Sequence, residues 1–108
     1  MDATGRDVIE FPSAVGPIDI LAVDDTGSFF VSELKRTNSP DRAMGQLARY
    51  MGWVRQTIGK DHQVFGVIVA KSISENLRYA ASIVPNVHLF EYEVEFHLRC
   101  AHDLVSGI

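Results

Sequence analysis

Three charged residues interrupt or end two apolar, strand-like runs in this 108-residue chain. Asp19 breaks the first run, and Glu33 and Lys35 lie near the end of the second. Side chains on a strand repeat with a period of two, so Glu33 and Lys35 are expected on one face, roughly 7 Å apart. A hairpin turn at 24–27 would pair Asp19 with a partner near position 32. The two carboxylates and the ammonium are therefore predicted to converge.

Two kinds of site explain such a cluster, because a buried charge is costly unless it is paired or binds a metal. One is an ion pair of Lys35 with Asp19 or Glu33 at the end of the sheet. The other is a divalent-metal site, since two carboxylates and a backbone carbonyl are ligands that Mg²⁺ accepts. A metal beside a lysine would suit phosphodiester hydrolysis, in which an activated water attacks and negative charge develops. The strands alone leave both open.

The elements that must position these groups begin with a three-stranded meander. A short strand candidate at 7–12 leads into the run 17–24, and the turn at 24–27 returns the chain into a third strand at 28–36. Gly27 can take the positive φ that such a turn needs. The pattern predicts an antiparallel hairpin that carries all three charges.

An amphipathic helix is predicted next. Its start is indicated by Ser39 as the N-cap, Pro40 at the first position and Asp41 in the first turn. An apolar row at spacings of three and four then runs to a helix end near Gly59: Met44, Leu47, Met51, Val54 and Ile58.

Two polar side chains, Gln46 and Tyr50, lie one turn apart beside that row. The face they share can look toward the strand ends that carry Glu33 and Lys35. Taken singly, Gln46 is more typical of a solvated polar residue and Tyr50 of a partly buried core residue.

The remainder of the chain predicts a strand, a helix and a strand. The valine-rich run 64–71 is typical of a strand buried on both faces, and Ser72 or Ser74 can cap a helix through about Val84. Residues 87–99 alternate between apolar and polar side chains, which predicts a last strand with one solvated face. We therefore expect one domain, 1–108, with an α/β fold: a single mixed β-sheet, element order βββαβαβ, flanked by helices.

Composition limits the partners. The net charge of −4, from 10 basic and 14 acidic residues, argues against coating nucleic acid by bulk electrostatics but allows a local basic patch. No apolar stretch is long enough for a membrane span, and the N-terminus lacks the order of a signal peptide, so we expect a cytoplasmic protein. The single cysteine, Cys100, has no second cysteine with which to form a disulfide or a metal site.

The segment GPIDILAVDDTGSFFVSELKR, followed by GQLARYMGWV, resembles the PD-(D/E)XK nuclease superfamily, and most closely its NucS/EndoMS-type nuclease domain. The shared features are a G-x-I-D-I-L-A phrase, an E-L-K-R strand and a Q-x-x-x-Y helix. The likeness continues through VFGVIVAKSISENLRYAASIVPNVHLFEYEVEF, so it covers nearly the whole chain.

This resemblance implies a restriction-endonuclease-like core and a metal-dependent endonuclease that hydrolyses DNA phosphodiester bonds. Two carboxylates and one backbone carbonyl would hold Mg²⁺ or Mn²⁺: those of Asp19, Glu33 and Leu34. A lysine would orient or activate the water, and an amide and a phenol would complete the catalytic site: Lys35, Gln46 and Tyr50. The phosphate contacts expected around the helix start are Arg36, Arg42 and Arg49.

Members of this superfamily usually place a helix, often with another acidic site residue, before the first strand. Only six residues precede Asp7, so we expect a core without that helix, which is either missing or belongs to sequence outside this chain. Glu10 is a candidate for the missing acid, although Phe11 could equally be the residue that faces the site.

A second function stays open: a catalytically inactive module that keeps the nuclease fold and binds nucleic acid or serves assembly. Under either function we expect DNA as a partner and no membrane. A homodimer that covers an exposed sheet edge and an additional domain outside this chain are further expectations.

Overall fold

The computed structural model describes residues 7–38 and 42–102. Its elements follow the predicted order βββαβαβ: β1 (Val8–Ser13), β2 (Gly16–Val23), β3 (Phe29–Asn38), α1 (Ala43–Gln56), β4 (Val64–Ser72), α2 (Glu75–Ser82) and β5 (Val87–Glu91). The five strands form one mixed sheet in the order β1-β2-β3-β4-β5. The α/β prediction is confirmed, with the first three strands antiparallel and the last three parallel.

The turn between β2 and β3 is fixed by Asp24. Its backbone carbonyl accepts a hydrogen bond from Gly27 N at 3.0 Å, and Gly27 has the expected positive φ of 85°. Its carboxylate accepts hydrogen bonds from Thr26 N at 2.9 Å and Ser28 N at 3.0 Å. The hydroxyl of Thr26 donates a further hydrogen bond, which is the largest cause of a lowered pKa of Asp24.

Both helices pack on one face of the sheet. Each connects two parallel neighbouring strands, and right-handed crossovers that advance in one direction place their helices on the same side. The core lies between these helices and the sheet, and its fully buried side chains include Leu21, Val31, Leu47, Ile68 and Leu77. Gly66 on β4 is a point of close approach, because a Cβ there would overlap Met51 Sδ and lie 2.8 Å from Leu47 Cδ2.

Strand β4 is buried on one face, not on both as the valine-rich run predicted. The residues that face the helices are buried, whereas Phe65 and its alternate neighbours on the opposite face are half-buried. On that face the ring of Phe65 stacks on Phe30 with centroids 5.1 Å apart and lies 6.4 Å from the ring of His88. Because both crossovers fall on the same side, the second face of β4 has less cover than a doubly wound sheet would give it.

The helix boundaries differ slightly from prediction. The predicted cap residues of α1, 39–41, lie outside the described residues. The helix ends at Gln56, so Ile58 lies beyond it and is 43% exposed. For α2 the expected cap is confirmed, since Ser74 Oγ accepts a hydrogen bond from Leu77 N at 3.1 Å.

The predicted last strand is wrong beyond Glu91. Tyr92 N still donates to Ala70 O at 3.0 Å, but β4 ends at Ser72, where the chain turns into α2. A strand cannot continue without a neighbour, so residues 92–100 are not strand in the structure. None of the helices in the described part of the chain has the length and apolar character needed to cross a membrane.

Candidate active site

The hairpin brings the three predicted charges together. The register between β2 and β3 ends at Ile20 and Ser32, so Asp19 and Glu33 are the next residues along the two strands, and the charge of Asp19 acts on Glu33. The carboxylate of Asp19 accepts a hydrogen bond from Leu34 N at 2.8 Å. Asp19 is half-buried, and the hydrogen bond from Leu34 N fixes its carboxylate against β3.

Glu33 is the buried charge of the site. Its side chain faces the helices and is only 4% exposed. Oε1 accepts a hydrogen bond in an ion pair with Lys35 Nζ at 2.8 Å, whereas Oε2 is buried and has no hydrogen-bond partner among the described residues. A buried carboxylate oxygen without a partner is costly, which makes Oε2 an open position for a ligand.

Burial raises the pKa of Glu33 above its ordinary value. The hydrogen bond from Lys35 opposes this change, and the negative charge of Asp19 adds to it. The raised pKa means that the surroundings of Glu33 disfavour its charged form. A positive charge beside Oε2 would favour that form.

Lys35 links the sheet to α1. Its ammonium also donates to Gln46 Oε1 at 3.1 Å, which confirms that the helix face carrying Gln46 looks toward the strand ends. The side chain of Lys35 is 21% exposed. An ammonium has three protons, so bonds to Glu33 and Gln46 leave it able to reach a third oxygen.

A positively charged cleft of about 530 Å³ opens beside this lysine. Its lining combines Lys35, Gln46 and Gly45 with two exposed arginines, Arg42 and Arg49. Both arginines therefore lie where phosphate contacts were predicted. Arg36 belongs to β3, but its side chain is not among those described.

Tyr50 lies deeper than predicted. It is 4% exposed and belongs to the buried row of α1. A Cβ at Gly16 would lie 3.3 Å from its hydroxyl, so this glycine leaves room for the phenol at the start of β2. The guanidinium carbon of Arg49 lies 5.7 Å from the centre of the Tyr50 ring. This cation–π contact connects the buried Tyr50 to an arginine that lines the basic cleft.

Glu10 approaches the site from β1. It stands between the register pairs Ile9 with Ile20 and Phe11 with Ile18, a position opposite Asp19. Its φ of 55° is unusual for a residue other than glycine. Glu10 and Asp19 line a second cleft of about 230 Å³ together with Ile9 and Leu34, so Glu10 lies beside Asp19. The ring of Phe11, the alternative that the sequence left open, packs against Trp53 of α1.

The donor set fits a hard divalent cation. Asp19 and Glu33 offer carboxylate oxygens from adjacent strands, and one of these, Glu33 Oε2, is buried without a hydrogen-bond partner in residues 7–38 and 42–102. Over residues 7–38 and 42–102, no three His, Cys, Asp or Glu side chains form a metal-holding group by themselves. Two carboxylates are a donor set that Mg²⁺ accepts, since this cation is commonly held by one or two carboxylates together with waters and substrate phosphates.

The family follows from comparison with known proteins. The profile of the endonuclease NucS C-terminal domain matches residues 6–90, a range that includes every predicted site residue. The chain belongs to this family. Among curated NucS proteins, endonuclease NucS 1 of Halobacterium salinarum is 36% identical over 76 residues, which are 70% of this chain and 30% of that protein. Endonuclease NucS of Pyrococcus abyssi is 35% identical over 69 residues, 64% of this chain and 27% of that protein.

Solved structures show the same fold as this NucS C-terminal domain. A repair endonuclease from Pyrococcus abyssi superposes with a TM-score of 0.69 at 28% identity, covering 80% of this chain and 37% of that one. An EndoMS–dsDNA complex superposes with a TM-score of 0.65 at 25% identity, covering 83% and 38%. The chain thus spans about a third of the length of the NucS proteins that it matches.

Proposed function

We propose that this domain is a divalent-metal-dependent nuclease of the PD-(D/E)XK type that hydrolyses DNA phosphodiester bonds. The observation that carries the proposal is the buried Glu33 carboxylate, with one oxygen held by Lys35 and the other without a hydrogen-bond partner in the part of the chain that the structure describes. A purely structural ion pair gains little from leaving a buried oxygen unsatisfied. A site that receives a cation needs such an oxygen.

The cation is Mg²⁺ or Mn²⁺, held by the carboxylates of Asp19 and Glu33 and the backbone carbonyl of Leu34. When bound, it supplies positive charge to the phosphate and lowers the pKa of an attacking water. The hydrogen bond from Leu34 N already orients the carboxylate of Asp19. Its second oxygen can therefore bind the cation without a further loss of side-chain conformational entropy.

The other residues act on the phosphate and on the water. Lys35 is held by Glu33 and Gln46 and presents its remaining proton at the cleft, where it orients the water or stabilises developing negative charge. Gln46 fixes the position of that ammonium. Tyr50 supports Arg49 from the core, and Arg49 contacts the substrate backbone at the mouth of the cleft.

DNA is the proposed substrate for two reasons. The cleft joins the site to the exposed Arg42 and Arg49. Cationic side chains beside a hydrolytic centre can bind the negatively charged phosphates of a DNA backbone. The relatives are named endonucleases, and one similar structure is titled as a complex with double-stranded DNA. We further propose that the protein acts in DNA repair in the cytoplasm, and that an additional domain contributes to DNA selection.

A second function is favoured by one observation. Each catalytic charge has a partner within the protein: Asp19 accepts from Leu34 N, and Lys35 contacts Glu33 and Gln46. Such pairing is expected of a site that has lost catalytic activity and only binds nucleic acid. Binding of Mn²⁺ separates the two functions. Calorimetric titration should give Mn²⁺ heat that is lost in Asp19→Ala if the site is a metal site, and no heat if it is a locked ion pair.

The test of catalysis is cleavage of labelled DNA by the 108-residue chain. The panel holds single-stranded, duplex, mismatched and branched substrates, each in Mn²⁺ and in EDTA. We expect metal-dependent products that Asp19→Ala abolishes and that Lys35→Met reduces by about 10²-fold or more. Asp25→Ala is the matched control, because this exposed turn aspartate lies outside the site.

Two results would contradict the proposal. Cleavage that persists in EDTA or in Asp19→Ala protein would come from another source. A folded wild-type chain that gives no Mn²⁺ heat, binds DNA and cuts nothing in the panel would leave the binding module as the function.

A further inference from the structure

The basic cleft has one stretch of wall without a side chain. Its lining includes Gly45, the third residue of α1, which lies between the two exposed arginines Arg42 and Arg49. The spacings of three and four residues place all three on one face of the helix, with Gly45 in the middle. The cleft is therefore bounded at this point by bare helix backbone, with a cation on each side of it.

The packing of the domain does not require glycine at this position. Gly45 lies in regular helix and, unlike Gly16 and Gly27, does not have a positive φ. A Cβ there would meet nothing within 4 Å in the described part of the chain, so no neighbour excludes a side chain. Glycine is also among the least favourable residues in a helix, because it loses more backbone conformational entropy on folding than other residues. The fold thus offers no reason for Gly45, whereas a ligand in the cleft offers one.

The neighbouring side chains leave this stretch of helix open. Gln46, the other cleft residue between the two arginines, is half-buried and accepts the hydrogen bond from Lys35 at 3.1 Å, so its amide is directed toward the sheet. The guanidinium of Arg49 lies against the ring of Tyr50. Neither Gln46 nor Arg49 comes within 4 Å of the position that a Cβ of Gly45 would take. A ligand can consequently reach the helix backbone at this point.

The two arginines define a path across this open stretch. Arg42 and Arg49 are seven residues apart, which is about 10 Å along the helix axis. A polyanion that binds both arginines crosses the helix surface between them, and that surface is Gly45. A DNA strand carries a negative charge at every nucleotide, so one strand can contact both cations and still present a phosphate to Lys35, which lines the same cleft.

We propose, on the basis of the proposed function, that Gly45 is a substrate-contacting residue: one DNA strand crosses α1 in contact with Gly45, between Arg42 and Arg49, and so reaches Lys35. The absence of a Cβ allows the sugar-phosphate backbone to approach the helix closely. A side chain at this position would obstruct the path, because side chains on a helix lean over the preceding turn, which here carries Arg42.

Leucine substitutions at two glycines of α1 test this contact. Gly52 is the matched control, because it is exposed two turns further along the helix and its Cβ position is equally empty, but it does not line the cleft. Leucine is a better helix former than glycine, so neither Gly45→Leu nor Gly52→Leu should lower the urea unfolding midpoint. Anisotropy of a labelled DNA strand in EDTA measures binding without metal-dependent cleavage. We expect Gly45→Leu to raise the dissociation constant by about tenfold, the effect of losing one hydrogen bond to a charged phosphate, and Gly52→Leu to stay within about twofold of wild type.

A smaller side chain and a cleavage assay complete the test. Gly45→Ala adds only the Cβ and should weaken binding in the same direction but by less than Gly45→Leu. In Mn²⁺, kcat/KM on the DNA panel should fall by about tenfold in Gly45→Leu and stay near wild type in Gly52→Leu.

The outcomes separate this inference from the function on which it rests. A wild-type chain that cuts DNA, with equal binding and cleavage by the two leucine variants, would overturn the contact at Gly45 and leave the nuclease in place. A folded wild-type chain that neither binds nor cuts DNA would refute the proposed function and, with it, this contact.

Discussion

Replacing Gly66 with alanine should destabilise the fold, because β4 and α1 approach closely at this glycine. The added Cβ would overlap Met51 Sδ and would lie 2.8 Å from Leu47 Cδ2 and 3.2 Å from Leu47 Cγ. Packed carbon atoms sit about 3.5–4.0 Å apart, so Leu47 must withdraw by about 1 Å. Met51 is half-buried and can change rotamer, but Leu47 is fully buried and cannot move without shifting α1. Overpacking of this kind costs about 1–3 kcal/mol of unfolding free energy.

Gly52 supplies the matched control. It lies exposed in α1, the helix that contains Leu47 and Met51, and a Cβ there meets nothing within 4 Å. Alanine in place of glycine inside a helix stabilises it by roughly 0.5–1 kcal/mol, so the same chemical change should act in opposite directions at the two positions.

Urea unfolding followed by circular dichroism measures both variants. The midpoint should fall for Gly66→Ala and rise for Gly52→Ala, with unchanged slopes. In a Met51→Ala background the cost of Gly66→Ala should shrink, because one of the two overlapping side chains is gone. An unchanged or raised midpoint for Gly66→Ala in the wild-type background would refute the packing argument.

Three further predictions concern the turn, a helix cap and the basic cleft. Asp24→Asn should lower the free energy of unfolding above pH 3.8. In acid unfolding curves the difference from wild type should shrink as the pH falls below that value, because a carboxylate with a lowered pKa loses its contribution on protonation. A difference that stays constant with pH would contradict this. Ser74→Ala should lower the melting temperature by roughly 4–8 °C, the equivalent of a cap worth about 1 kcal/mol, and no change would mean that the cap is replaced. On the proposed function, Arg49→Ala should weaken DNA binding and reduce the salt slope measured by anisotropy by about 1, whereas Arg55→Ala, outside the cleft, should leave the slope unchanged.

Local chemistry explains why the hairpin and its charges could be predicted. The turn at 24–27 carries its own signals in Asp24 and Gly27, and it sets the register to within one residue. From there, strand periodicity alone places Glu33 and Lys35 on one face. The contact from Lys35 to Gln46 needed only the helix period and the direction of the crossover.

The features that the sequence did not reveal depend on distant residues. Tyr50 is buried because Gly16, 34 positions earlier, leaves space for its ring. The last strand stops at Glu91, which is in register with Ala70 near the end of β4, although the alternating pattern continues. The burial of Glu33, one of whose oxygens has no hydrogen-bond partner among the described residues, is not recorded by any local pattern.

The central position of β3 has a consequence for the thermodynamics of ligand binding. Glu33 and Lys35 stand in register with Ile68 and Ala70 of β4, and β2 lies along the other side. Amide hydrogens in such a strand exchange only through openings that approach global unfolding. The conformational entropy of ordering the catalytic groups is therefore lost when the chain folds, and little of it remains to be lost when a ligand arrives. Binding at this centre should consequently add little order to β3. Its amide exchange should slow only by the amount that a ligand of the folded state raises the free energy of unfolding, and any rigidification should be confined to the exposed arginine side chains of α1.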